Sequence, residues 1–177
     1  MNFIKRSFPH QREINLVFSA VMFAVFAWAI HSFIYKFPAF ILYYGVFELF
    51  SILAYLLTFA LLESLLVTAL IVGFSAILPG GWFRKGFAYK GFLTVLVATV
   101  ATIIIKETMS NQPTVKYLTA AFGLALATWI GLLLLAHYWL PMQRFILDLV
   151  DRLSIFLYIL LPLGSISVLV VLIRLVW

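Results

Sequence analysis

The sequence predicts an all-α fold: a polytopic transmembrane helical bundle of about five spans. The N-terminus is expected inside and the C-terminus outside, with a short amphipathic interfacial helix before the last span. Three observations predict it. First, 66% of the 177 residues are hydrophobic and only 10% charged, with a mean hydropathy of +1.16. A soluble domain is about half apolar and about a quarter charged, and a small domain exposes too much of itself to hide such a surplus from water. Second, the apolar residues come in runs long enough to cross a bilayer, whose core of about 30 Å needs about 20 helical residues. Third, the basic residues sit at the ends of those runs and are unequally shared between the two sides.

The length suits one integral membrane domain, 1–177, with no separate soluble unit. Its spans are expected at about 14–35, 45–78, 91–105, 115–140 and 153–173. The N-terminal segment carries Lys5, Arg6 and Arg12 ahead of an apolar run. That run exceeds the roughly 7–15 residues of a cleavable signal, so it reads as an uncleaved first span. Cleavage near Ala27-Trp28-Ala29 is the alternative. Stops follow at Lys36-Phe37-Pro38, at Pro79-Gly80-Gly81 with Arg84 and Lys85, between Lys106 and Pro113, and from Pro141 to Arg152.

The second apolar block, 39–78, is broken only by Glu48 and Glu63. It could form two short spans or one long helix. Five spans place Lys5, Arg6, Arg12, Arg84, Lys85, Lys90, Arg144 and Arg152 inside, and Lys36, Lys106, Lys116 and Arg174 outside. Six spans would move Arg84, Lys85 and Lys90 outside, against the positive-inside rule. No turn signal separates Thr58 from Ser64 either, so one helix is expected. Counting about 20 residues back from Leu78 puts the outer edge near Phe59. Residues 40–55 then overshoot the membrane, to be absorbed by tilt, by an interfacial segment or by a hydrophobic partner.

Tyr35, Tyr43, Tyr44, Trp82, Tyr89, Tyr117, Tyr138, Trp139 and Trp177 fall near span ends, as an interfacial belt would. Trp28 and Trp129 fall inside spans, where they are expected to pack between helices. From Pro141 to Leu153, Arg144, Asp148, Asp151 and Arg152 alternate with Phe145, Ile146, Leu149 and Val150 at helical spacing. This is the predicted interfacial helix. Pro162, followed by Gly164, should kink the last span.

Apolar burial alone does not bring helices together in lipid, so small residues that allow close approach matter most. Gly123, Ala127 and Gly131 repeat at four-residue spacing, with Thr119 one step earlier. Thr94, Ala98 and Thr102 share that register in the preceding span. The stripe reads as an intramolecular seam between these two spans, or as the seam of a homo-oligomer.

Glu63 is the leading candidate for chemistry, because an ionisable group within a span is costly and a functional hypothesis by default. The count from Leu78 places it about four residues, or roughly 6 Å, below the outer edge. There it could be solvated or stay protonated against a neighbouring hydroxyl, or it could couple to a proton or cation. Glu48 lies fifteen residues earlier, within roughly 60° on a continuous helix. With Ser51 and Tyr55 it could form a polar strip leading to Glu63, or it could simply be solvated at the interface.

Cysteine is absent, which excludes disulfides, thiolate catalysis, iron–sulfur clusters and cysteine zinc sites. His31 and His137 fall at opposite ends of their spans, and no HExxH or i,i+4 histidine pair occurs, so no metal site is expected. No nucleophile constellation, phosphate loop or dinucleotide fingerprint is present. The net charge of +6 is best matched by anionic headgroups, not nucleic acid. The expected protein is therefore a non-enzymatic membrane subunit or anchor without cofactor, in an inner (plasma) membrane. Its expected partners are the lipid bilayer and either a protein or further copies of itself. The alternative is a small transporter or channel component using Glu63.

Overall fold

A computed structural model describes residues 9–77, 86–111 and 115–176. The described residues form five helices: α1 (Gln11–Tyr43), α2 (Val46–Ile77), α3 (Phe87–Asn111), α4 (Val115–Tyr138) and α5 (Leu140–Val176). All five are long and apolar enough to cross a membrane. At 1.5 Å per residue they run from about 36 Å for α4 to about 55 Å for α5. The N-terminal Lys5 and Arg6, the Pro79-Gly80-Gly81 break with Trp82, Arg84 and Lys85, Pro113 and Trp177 lie outside the described residues.

α1 continues past the expected stop at Lys36-Phe37-Pro38 and carries Pro38 within it. A proline inside a helix removes one backbone bond and crowds the preceding turn. Here ring contacts bridge the damage: Phe33 meets Phe37 at 5.7 Å and Phe40 at 6.0 Å, and Phe40 meets Tyr44 at 6.0 Å. These centroid distances suit tilted aromatic pairs. The helix ends where Tyr44 turns extended, its N–H still bonded to the Phe40 carbonyl. The apolar block 39–78 therefore divides at Tyr44-Gly45. Its first residues finish α1, and one unbroken helix, α2, follows.

α5 also differs from expectation. The segment from Pro141 to Leu153 is no separate interfacial helix but the first turns of α5, which runs unbroken through Pro162. Arg144, Asp148, Asp151 and Arg152 are exposed, but of the expected apolar face only Ile146 and Val150 are buried, while Phe145 and Leu149 are exposed. Ile146 and Val150 pack on the bundle, so these turns continue the helix of the span.

Two apolar clusters hold the helices. The first gathers Val17 and Val21 of α1, Ile71 of α2, Phe87 and Leu93 of α3, Leu133 and Ala136 of α4, and Ile146 and Val150 of α5. These come from the starts of α1, α3 and α5 and the ends of α2 and α4. Successive helices therefore alternate in direction, and this cluster ties all five together at one end. The second joins Met22, Phe26 and Ala29 of α1 with Leu57 and Ala60 of α2 and Leu160 of α5. Helices α1, α2 and α5 thus form a three-helix core, with α3 against α1 and α4 against α3.

Close approach occurs where side chains are missing. A Cβ on Gly91 would stand 2.6 Å from Val17 Cγ2, and one on Gly164 would stand 3.1 Å from Phe26 Cζ and 3.2 Å from Leu61 Cδ1. Gly86 has φ 76°, a backbone shape costly for any residue with a Cβ, and it lies over the Tyr89 ring. Tyr89, expected in the interfacial belt, is instead buried beneath it. Lys90 is 1% exposed. Its Nζ lies 5.4 Å from the Tyr89 ring centre, within range of cation–π attraction. Tyr35, Tyr43, Tyr138 and Trp139 are exposed, as belt residues are.

The outside of the bundle is greasy. Only 6% of the apolar stretch of α4 is buried, and 11% of that of α5. Such surface would be unstable in water, and it is what a lipid solvent requires.

Candidate functional site

α2 places its polar groups on two faces. Ala60, Ser64 and Thr68 are buried at four-residue spacing, and so lie along one helix face. Ser64 donates to the Ala60 carbonyl at 2.7 Å and Thr68 to the Ser64 carbonyl at 2.8 Å. The hydroxyls are thus satisfied on their own helix, and the small side chains let α1 and α5 pack close. Ser75 is likewise buried and donates to the Val72 carbonyl.

Glu63 lies on the other face and is exposed. Its neighbours along that face, Phe59, Leu62, Leu66 and Leu70, are all exposed and apolar. The residues three and four positions away, Phe59, Ala60, Leu66 and Val67, carry no side-chain donor. Glu63 lies midway along the length of α2. It is seventeen residues from Val46 and fourteen from Ile77. At 32 residues α2 exceeds the roughly 20 that cross a bilayer core.

Glu48 is not brought to Glu63. Fifteen residues of helix separate them by about 22 Å. Glu48 Oε2 accepts from the Gly45 N–H at 3.0 Å, while the Glu48 and Leu49 N–H groups bond the Gly45 carbonyl. This is the reach-back half of a capping box, satisfying backbone groups that a helix start leaves without partners. Ser51, on the proposed strip, donates to the Phe47 carbonyl.

Gly123, Ala127 and Gly131 do not form the seam with α3. All three are exposed, and a Cβ on either glycine would meet nothing within 4 Å. α4 meets α3 through the adjacent face instead. Ala121, Ala125 and Leu132 line with Val97 and Ala101 a half-open cleft of about 120 Å³. Trp129 Nε1 donates to Thr94 Oγ1 at 3.0 Å. Trp129 thus packs between helices as expected, and Thr94 of the companion triplet is its partner. Ala98 and Thr102 are exposed.

The histidines are dispersed. His10 caps α1, its side chain accepting from the Arg12 N–H. His31 stacks beside Trp28, and His137 meets Tyr138 edge-on at the end of α4. There Gln143 Nε2 donates to the Ala136 and His137 carbonyls, two of the acceptors a helix end leaves open. Among the described residues, no three of His, Cys, Asp and Glu gather closely enough to hold a metal ion.

No protein-family model matches the chain, and neither a curated protein nor a solved structure shows significant similarity to it.

Proposed function

We propose that this chain is a non-enzymatic, membrane-embedded subunit or anchor, and that the Glu63 face of α2 is where a partner assembles. The observation that carries the reading is one exposed carboxyl at the centre of a 32-residue apolar helix. Facing lipid, an ionisable group costs about 2.5–3.5 kcal/mol on insertion scales. A second helix offering a donor removes that cost and adds an interhelical bond worth about 0.6–2 kcal/mol. The membrane is an inner (plasma) membrane. The N-terminus lies inside and the C-terminus outside, an orientation supported by Arg12, Arg144 and Arg152 at the end where all five helices cluster.

A proton- or cation-coupling role would use the same carboxyl, with its second polar wall supplied by that partner. A photo-crosslinking residue at Leu66, in native membranes, tests the assembly. A discrete adduct should form with the wild-type face, weaken with Glu63→Gln and vanish with Glu63→Leu. Absence of an adduct on the wild-type face rejects the proposal. Ion flux abolished by Glu63→Gln while the adduct persists favours the coupling role.

A further inference from the structure

Between α1 and α3, with α5 at its base, lies a groove of about 690 Å³. Ala24 and Ala27 keep its α1 side shallow, Phe92 and Ile103 mark its two ends along α3, and Leu149 and Leu153 of α5 close it below. Phe92 to Ile103 spans eleven residues, about 16 Å, close to half of a bilayer core of about 30 Å. A trough of that length takes one acyl chain, which itself spans half of the core.

Its mouth is chemically different. Trp28 and His31 line it, their rings stacked at 6.2 Å. Lys106 reaches over Trp28 with Nζ 4.5 Å from the ring centre. Lys106 is five residues before the end of α3 at Asn111, the level at which headgroups meet a span end. Glu107 follows in sequence but points about 100° further round the helix. Thr99, within the groove, spends its hydroxyl on the Val95 carbonyl, so the walls offer hydrocarbon and the mouth offers positive charge.

We infer that this groove is a binding site for one acyl chain of an anionic phospholipid, with the headgroup phosphate held at the mouth by Lys106 and His31. The chain lies along the Ala24–Ala27 trough, and Trp28 marks the boundary between hydrocarbon and phosphate. This site is on a different face from Glu63 and does not rest on the assembly proposed above.

The test uses the full chain in nanodiscs containing phosphatidylcholine with a fixed fraction of either chain-brominated phosphatidylglycerol or chain-brominated phosphatidylcholine. Quenching of Trp28 is read as the difference between wild type and Trp28→Phe. Brominated phosphatidylglycerol should quench this signal at an about fivefold lower mole fraction, the size of one lysine's attraction to an anionic surface. Lys106→Gln should remove the preference, and Ala24→Phe should remove the quenching by filling the trough. Native mass spectrometry provides a readout independent of Trp28→Phe folding. Phosphatidylglycerol should remain bound to wild type and to the control Lys116→Gln, and be lost from Lys106→Gln. Equal quenching by the two lipids, or retention of phosphatidylglycerol by Lys106→Gln, overturns the inference.

Discussion

Alanine at Gly91 places a methyl carbon 2.6 Å from Val17 Cγ2 and 3.1 Å from Val17 Cγ1. Carbon atoms rest about 3.5–4.0 Å apart, so α1 and α3 must separate by about an ångström or Val17 must turn. Val17 is fully buried, and a β-branched side chain in a helix has essentially one rotamer, so the helices must move. Overpacking of this kind costs about 1–3 kcal/mol. Alanine also gains up to about 1 kcal/mol over glycine in helix propensity, which would blur the result for Gly91→Ala alone. Gly123→Ala supplies the control, because its methyl meets nothing within 4 Å while the propensity gain is the same. The difference between the two variants isolates the contact. Gly91→Ala should be less stable than Gly123→Ala by about 1–3 kcal/mol, a roughly 5- to 150-fold change in the unfolding equilibrium. The assay is reversible unfolding in mixed micelles with increasing dodecyl sulfate, followed by far-ultraviolet circular dichroism. Adding Val17→Ala to Gly91→Ala should recover part of the loss. Equal stability of the two glycine variants would refute the packing of α1 on α3.

Trp129→Phe should lose about 0.6–2 kcal/mol through its bond to Thr94, and a double-mutant cycle with Thr94→Val should show that coupling. Glu48→Ala removes the acceptor for the Gly45 N–H. Hydrogen exchange at Gly45 should accelerate about 2- to 12-fold, the equivalent of a net hydrogen bond of about 0.5–1.5 kcal/mol, while amides in the middle of α2 stay unchanged. Glu63→Leu should leave the single chain in micelles as stable as wild type or more so, because the carboxyl has an apolar neighbourhood within the chain; a strong destabilisation would mean that it has an internal partner.

The length of the apolar runs reveals the helices, because the sequence has few polar interruptions, although the run at 91–105 is shorter than the helix α3 it belongs to. Boundaries were harder. Pro38 reads as a stop, yet the Phe33–Phe37–Phe40–Tyr44 rings carry the helix past it. Those spacings were visible, but their strength depends on ring geometry. Pro141 similarly reads as the start of a detached interfacial helix. Nothing in the local pattern says that Ile146 and Val150 will find a cluster to join at the bundle's end. Small-residue stripes were legible only as candidates. Gly123, Ala127 and Gly131 form the tidier pattern, yet they face outward. Ala60, Ser64 and Thr68 have the same four-residue spacing and pack inside. Spacing alone cannot say which stripe meets another helix, since that depends on which neighbour is adjacent. Glu63 stands out from its chemistry; its outward direction needed the fold.

The chain has no cysteine, so a single nitroxide can be placed without background. Glu63→Cys and Ser64→Cys, each spin-labelled and reconstituted at low protein-to-lipid ratio, should differ sharply in power saturation. The label at 63 should be mobile, open to oxygen and closed to an aqueous nickel chelate, as a site facing the bilayer interior must be, while the label at 64 should be shielded from both. A label at 63 as shielded as its neighbour would put the carboxyl inside the bundle, and one open to nickel would put it in water; either result contradicts a lipid-facing Glu63.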